Sequence, residues 1–538
     1  MTAPEASLAR RTCSEAVLRA RLVRGAAAIV IVLCAWCALL LLVWNLDRGF
    51  DLTDESYLLY LYRHPKGFAD HLYWQHFALV SAFLPPSFDH VITYRVIKLT
   101  GLLALNGLLA IVLFRWIARR YGVLSGYGLR PIVLTHFVAL GSLLAYCHGS
   151  QTLSYNDFTT LCLLGAAAAL ISIDLCPPGA NEERWSFLFS MIAGGILIPL
   201  VFTKWSSSLL LAIYILAFTG LLAGARGWRA FVTSVAGAVC GVVLTGFCLT
   251  DAGIGRVLSF EKLFAAVLDP SNLNEHGGPS ELLRRYAETS IMRFAELLRD
   301  PAAAATLVLP IATLVVRAIA RGTRTHRALN LTLAPALAAA SLIALLAFAG
   351  MLAARGGDGP WLNRFRIADL QTFFVLFVFA GAFCCVPFVR RTVARRDTIV
   401  FLIAAALIAL LPAVGAIGTN NALLTQFIRH MGPLFAALAM LAMFLGFAGR
   451  WPPFAPVVCA VVAMFSTAQL FVTLLYHPYR LARPGIEQTV TLAAPPHMRG
   501  LKVDPATADF VRTLLSESQR LVGDTTAMPI LAMFDIPG

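Results

Sequence analysis

AAAIVIVLCAWCALLLLVW, Ala26 to Trp44, runs nineteen residues without a charge or a proline. At about 1.5 Å per residue, a helix of that length crosses the roughly 30 Å of hydrocarbon in a bilayer. It ends in Val43-Trp44-Asn45 with no small-residue cleavage site, so it reads as a retained span rather than a signal peptide. Comparable apolar runs recur at about 99–117, 132–148, 158–175, 187–203, 207–224 and 231–249. A second set follows at about 302–319, 331–353, 370–388, 398–416, 431–448 and 456–476. All are far longer than the alternating segments of a barrel strand, which leaves helices. Of the 538 residues, 59% are hydrophobic and 13% charged. A typical soluble protein carries about 25% charged residues, so a large soluble enzyme is excluded. The expected fold is an all-α polytopic membrane protein with about thirteen transmembrane helices.

The net charge of +14 does not call for nucleic acid. Its arginines gather beside the apolar runs: Arg10, Arg11, Arg19, Arg21 and Arg24 before the first, and Arg115, Arg119, Arg120 and Arg130 after the second. Further clusters lie at Arg226 and Arg229, at Arg317 to Arg327, and at Arg390 to Arg396. By the positive-inside rule these segments face the cytoplasm, which puts the N-terminus inside and, with an odd number of spans, the C-terminus outside. The division is then a cytoplasmic segment 1–25, a membrane domain 26–476, and an outer tail or small domain 477–538. The outer loops fall at 46–98, 250–301, 354–369 and 417–430. Inner loops are short, with no GxxxxGK[ST] and no room for a nucleotide-binding domain. The eleven Cys lie mostly inside apolar runs without metal-ligand spacing, and read as small core residues.

The first outer loop reads Asp47-Arg48-Gly49-Phe50-Asp51-Leu52-Thr53-Asp54-Glu55-Ser56-Tyr57, carboxylates set directly after a span. Solvated acids in an aromatic belt would explain them. Against that, Thr53 can cap a helix starting at Asp54. On that helix Tyr57, Leu58 and Leu61 continue the face of Asp54. His76 to Pro86 is too short to span and reads as an interfacial piece. The long loop carries an amphipathic pattern from Arg284 to Arg299, expected to lie on the outer leaflet, with His276 in a Gly-rich stretch before it.

A long helix, an outer loop with D-x-x-D-E-x-Y, an interfacial stretch, and Tyr94-Arg95-Val96-Ile97 opening the next helix resemble the GT-C glycosyltransferases. These polytopic enzymes use polyprenyl-phosphate sugars and include protein O-mannosyltransferases and lipid A aminoarabinose transferases. The resemblance is good over 26–120 and looser beyond. It implies a GT-C-like arrangement of helices and a place in a bacterial inner membrane, with the site on the periplasmic face. It also implies that Asp54 is the catalytic Asp of the loop motif, acting as general base, with Glu55 its companion and Asp51 ranked behind. A divalent cation (Mg or Mn) at the paired acids is left open, as is any metal ligand set.

Breaking a sugar–phosphate bond releases an anion that needs cationic neighbours, whereas an acceptor hydroxyl needs a base. Lys204, Arg364 and Arg429 are the phosphate candidates, with Arg95 behind them. Lys204 and Arg364 read equally as interfacial anchors, and the segment that carries Arg429 as an ordinary polar turn. Tyr57, Tyr155, Asn156, Asn420 and Asn421 are candidates for holding sugar, since aromatic faces and amides suit its C–H faces and hydroxyls. The expected function is an inverting transfer from a polyprenyl-phosphate-linked sugar to a lipid, glycan or protein acceptor. A glycan ligase or polymerase, or a lipid-linked sugar flippase, are the alternatives. The latter predicts charges in mid-helix and a repeat between halves.

Overall fold

The computed structural model describes residues 3–64, 76–84, 90–121, 129–176, 182–222, 224–248, 278–301, 303–309, 312, 364–384, 386, 395–418, 421–448, 454–481 and 483–522. The first half comprises α1 (Ala3–Asn45), α2 (Asp54–Arg63), α3 (His76–Ser81), α4 (Val91–Arg120), α5 (Pro131–Leu143), α6 (Tyr155–Leu175), α7 (Glu182–Gly195), α8 (Leu197–Leu222) and α9 (Gly224–Cys248). Then come α10 (Gly278–Arg299), α11 (Arg364–Cys384), α12 (Arg395–Ala416), α13 (Leu423–Phe427), α14 (Met431–Ala448) and α15 (Phe454–Tyr476). The tail holds β1 (Val490–Thr491), β2 (Lys502–Val503) and α16 (Pro505–Val522).

Eight helices among the described residues are long and apolar enough to cross a membrane, with two shorter apolar ones at Pro131–Cys147 and Ile367–Phe383. The chain is therefore a multi-pass, mainly helical membrane protein. The expected count of thirteen is not reached among these residues: 331–353 and most of 302–319 lie outside them. Boundaries also shift. α4 starts at Val91 and α11 at Arg364, while the chain from Leu423 to His430 is helical, so the loops expected at 46–98, 354–369 and 417–430 are shorter. Polar residues such as Lys98 and Asp369 had closed those runs early, but a helix continues through a polar position when its side chain finds a partner inside the bundle.

α8 is not one straight rod. Lys204 has φ −154° and ψ 86°, outside the helical range. Ser208 Oγ donates to the Leu197 carbonyl at 2.9 Å, eleven residues away. A continuous helix would separate them by about 16 Å. The chain doubles back at Lys204, as the two apolar runs 187–203 and 207–224 anticipate. α7 packs backbone to backbone on α9: a Cβ on Gly194 would collide with the Ser234 carbonyl, and one on Gly237 with Met191. Small residues allow that approach where no hydrophobic force acts between helices in lipid.

The two ends of the bundle differ. At one, Asp174 of α6 accepts from Trp116 Nε1 at 2.9 Å and Arg120 at 2.9 Å, with Arg226 at 3.6 Å. At the other, α1, α5, α12 and α15 finish while α4, α6 and α14 begin, and Lys204 makes its turn. That second end is covered by α2, α3 and α10. Arg293 of α10 pairs with Asp369 of α11 at 2.6 Å, and Thr425 Oγ1 donates to the same carboxylate at 2.6 Å. Leu283, Ile291 and Met292 of α10 stay exposed beside its charged face, as an interfacial helix requires.

The tail is not a free appendage. β1 and β2 pair antiparallel, Val490 opposite Val503. Leu492, Met498, Leu501, Val503, Ala508 and Val511 form one core with Phe50, Leu58, Leu59, Leu61, Tyr62 and Tyr94. Gly49 N donates to the Lys502 carbonyl at 2.7 Å, Lys502 N to the Asp47 carbonyl at 2.6 Å, and Lys502 Nζ to Asp47 Oδ2 at 2.5 Å.

Candidate functional site

α2 begins at Asp54, as its sequence predicts, but not by the expected cap. Thr53 makes no side-chain cap bond. Its hydroxyl and amide donate instead to Asp51 Oδ1, at 2.6 and 2.9 Å, forming an Asp-based turn before the helix. The inward face keeps two of the expected apolar residues but takes Glu55 in place of Asp54. Leu58 and Leu61 are buried as expected, together with Glu55, Leu59 and Tyr62, whereas Tyr57 is only partly buried and the Asp54 side chain is 40% exposed. An amphipathic pattern read on one helix leaves its rotation open by about a residue, and the tail's core fixes it here.

Glu55 and Arg95 form a buried pair, Nη2 to Oε2 at 2.7 Å and Nε to Oε1 at 2.9 Å. The remaining guanidinium N–H groups go to the carbonyls of Leu46 at 2.8 Å, Arg48 at 3.2 Å and Gly49 at 2.7 Å. All five donors of Arg95 are thus engaged. It is a clasp for the loop that carries Asp51 and Asp54, with no donor left for a phosphate. Thr152 Oγ1 closes the arrangement on Glu55 Oε1 at 2.5 Å.

Asp54 meets two residues from beyond the last span. Tyr479 Oη donates to its Oδ2 at 2.8 Å and Arg480 Nη1 to its Oδ1 at 2.6 Å. Arg480, with φ 51°, is the one non-glycine residue at positive φ among those described. L-residues seldom adopt that region, and where they do the surroundings hold them in place. Here the strained backbone turns the guanidinium onto Asp54 and Thr53. The Tyr479 ring lies edge-on to His148 at 5.4 Å. Burial pushes the Tyr479 hydroxyl up to about 12, with the neighbouring charges of Arg429, Asp54 and Arg480 acting on it as well. Asp51, also buried, is pushed up to about 7, chiefly by desolvation, and then by the charges of Asp54 and Glu55 against the two Thr53 bonds. Its Oδ2 has no hydrogen-bond partner.

Behind Tyr479 the helix ends bring cations together. Arg429, in the 3-10 turn Ile428–His430, lies against Gly149: a Cβ there would stand 3.4 Å from its Cζ. The charge of Arg429 acts on Lys98, Lys204 and His430. Lys98 is neutralised by Asp157 at 3.2 Å and donates to the Ser150 carbonyl at 2.7 Å. Asp157 in turn completes a capping box with Ser154 that starts α6. Among the described residues Lys204 has only neutral partners, the Gly415 carbonyl at 2.5 Å and Asn156 Oδ1 at 3.4 Å. His430 Nδ1 bonds to Thr160 Oγ1 at 2.6 Å and leaves Nε2 unpartnered. Lys204 is 6% and Arg429 8% exposed, and among the described residues neither has a carboxylate within 4 Å. Buried charge without a counter-charge is costly, and the end of a membrane bundle that tolerates it is suited to an anion.

The structure therefore brings Asp54, Lys204, Arg429 and Asn156 to one end of the bundle, with Tyr479 and His148 between. Tyr155 lies near His76, ring centroids 6.4 Å apart. Tyr57 packs against the tail's core, and Asn421 is exposed. Asn420, His276 and the side chain of Arg364 lie outside the described residues. Both acids of the Asp54-Glu55 pair already face guanidinium groups, so they offer a divalent cation no shared open oxygens. No cluster of three or more His, Cys, Asp or Glu is found among the described residues. Tyr479 and Arg480 are the residues that sequence reasoning missed. They stand 425 and 426 positions from Asp54, and a Tyr-Arg pair after a span reads as an ordinary interfacial anchor.

Compared with known proteins, no family model, curated protein or solved structure matches this chain.

Proposed function

We propose that the protein is a membrane glycosyltransferase that moves a sugar from a polyprenyl-phosphate donor to an acceptor at the outer, periplasmic face of a bacterial inner membrane. The observation that carries this reading is the pair of buried cations, Lys204 and Arg429, without carboxylate partners among the described residues, at the same end of the bundle as the half-exposed carboxylate of Asp54, which accepts from Tyr479. A lipid phosphate entering from the bilayer meets Lys204 and Arg429. Asp54, on the solvent side, receives the acceptor.

In the reaction the bond from the anomeric carbon to the phosphate oxygen breaks, and both its electrons leave with the phosphate. Lys204 and Arg429 stabilise the second negative charge that appears there. The acceptor oxygen forms the new bond from the opposite side, which inverts the configuration, and its proton passes to Asp54. For that step Asp54 exchanges its contact with Arg480 or Tyr479 for the acceptor hydroxyl. Glu55 and Arg95 act on position only, by clasping the loop.

The test is release of free polyprenyl phosphate by the purified chain from a pool of polyprenyl-phosphate sugars mixed with envelope extract. Asp54→Asn is expected to lower turnover by about 10²–10⁴-fold, the range of a general base, with donor affinity retained. Lys204→Ala and Arg429→Ala are expected to weaken donor binding. Wild-type turnover unaffected by all three substitutions would sink the assignment of the site. No release by the wild type would send the chain to an assay of lipid-linked sugar movement in liposomes.

A further inference from the structure

Polar side chains continue from the cation cluster into the apolar bundle. Ser466, Gln469 and Thr473 recur at i, i+3 and i+7 on α15, and all three are fully buried. That spacing puts them on one face. Gln371 of α11 reaches this face, its Nε2 donating to Ser466 Oγ at 2.9 Å. Gln426 of α13 is buried completely. α11 packs against α13 with its 3-10 turn, against α15 and against the 3-10 turn Leu144–Cys147, which itself packs on α15 and on the turn Ile428–His430. α15 ends and α11 begins at the end of the bundle that carries Tyr479 and Arg429, so the stripe descends from there.

Most of these groups are not used in holding helices together. The Gln371–Ser466 bond is interhelical glue of the usual membrane kind. Gln426 and Gln469, by contrast, have neither amide nitrogen nor amide oxygen bonded among the described residues, and Gln371 Oε1 and Tyr146 Oη are likewise without hydrogen-bond partners there, while Thr473 meets the Cys147 thiol. Buried polar atoms are nearly always partnered in folded proteins. A stripe of unpartnered ones on membrane helices is a candidate site rather than a packing device. The chemistry of the stripe is neutral. It contains no Asp, Glu, Lys or Arg; Asp369 nearby is already paired with Arg293, and Lys98, whose Nζ lies 4.4 Å from the Tyr146 ring centroid, with Asp157. A primary amide sets a donor beside an acceptor, and a hydroxyl both donates and accepts, so such groups match a ligand with many hydroxyls and no charge.

We infer that the stripe formed by Gln371, Gln426, Gln469 and Tyr146 is a binding site for an uncharged polyhydroxyl group, the sugar that reaches this end of the bundle. The inference rests on the proposed transferase reading for the source of that sugar. Donor and acceptor sugars share the same chemistry here. The stripe sets the preference for which sugar is held, while Lys204 and Arg429 hold the phosphate.

The full chain in nanodiscs would be titrated with decaprenyl phosphate, with decaprenyl phosphates bearing glucose, mannose, galactose or arabinose, and with the methyl glycosides of the same sugars. Gln426→Leu and Gln469→Leu conserve approximate volume and remove the amide. The wild type is expected to bind at least one sugar-bearing ligand about tenfold or more tighter than its sugar-free counterpart, and the Leu variants to lose that margin, since a site built to hydrogen-bond hydroxyls discriminates strongly. The variants keep their affinity for bare decaprenyl phosphate and their melting temperature, which separates lost recognition from lost folding. A margin carried by the lipid-linked sugars assigns the stripe to the donor, and binding of methyl glycosides assigns it to the acceptor. No margin in the wild type, or one unchanged in both variants, overturns the inference and leaves the stripe a hydrated structural seam. Lys204→Ala reports separately: if it leaves decaprenyl phosphate binding intact, the phosphate reading fails whatever the glutamines do.

Discussion

Three neighbouring carboxylates in one loop meet three different fates. Asp51 is buried with one oxygen unpartnered, Asp54 is half-exposed between Tyr479 and Arg480, and Glu55 is locked on Arg95. The raised value of Asp51, about 7 against an ordinary 3.8, makes a stability prediction. The folded state holds this proton more tightly than the unfolded chain, so its contribution is complete below about pH 4 and is lost as pH rises through about 7. Asp51→Asn keeps an oxygen for Thr53 and removes the titration. The wild type is expected to lose a few kcal/mol between pH 4 and 7 relative to this variant, at roughly 1.4 kcal/mol for each pKa unit. Melting curves across that range decide it, and parallel curves for the two proteins would refute the assignment.

At the scale of elements, the Glu55–Arg95 pair ties α2 and its loop to the start of α4. Removing one member leaves the other charge buried and unmatched, which typically costs about 3–5 kcal/mol. Arg95→Met and Glu55→Met are each expected to lower the melting temperature sharply, and the double variant to recover part of the loss. A double variant no more stable than the worse single one would argue that the carbonyl contacts of Arg95, not its charge, hold the loop. The break in α8 belongs to the same scale. Lys204 lies where the chain turns, so the backbone itself delivers the ammonium to Gly415 and Asn156.

For the whole molecule, the tail and the first loop make one core rather than two pieces joined by a linker. Ending the chain after Leu481 keeps Tyr479 and Arg480 but removes the partners of Phe50, Leu58 and Leu61. Limited proteolysis is expected to cut such a chain within 46–64 while the membrane bundle stays intact. A first loop as resistant as in the full chain would show the tail to be the independent unit that its position after the last span suggests.

Several features follow from the sequence alone. Uncharged runs of about twenty residues admit no other home than a bilayer and no other form than a helix, because backbone groups in lipid must bond within their own segment. The runs on either side of Lys204 also located the turn there, and Lys204 and Arg429 stood out as charges at the ends of apolar runs. What tertiary structure decided is which charges answer one another. Arg95 and Arg429 look alike in sequence, each near the start of a helix. One has every donor engaged by Glu55 and the loop carbonyls, and the other has no carboxylate partner among the described residues. Asp54 and Glu55 differ by one position, and only the packing of α2 on the tail sets which faces solvent. Periodicity reads a helix one turn at a time, whereas counter-charges arrive from anywhere along the chain. The partners of Asp54 lie more than four hundred residues away, and folding alone brings them within hydrogen-bond reach.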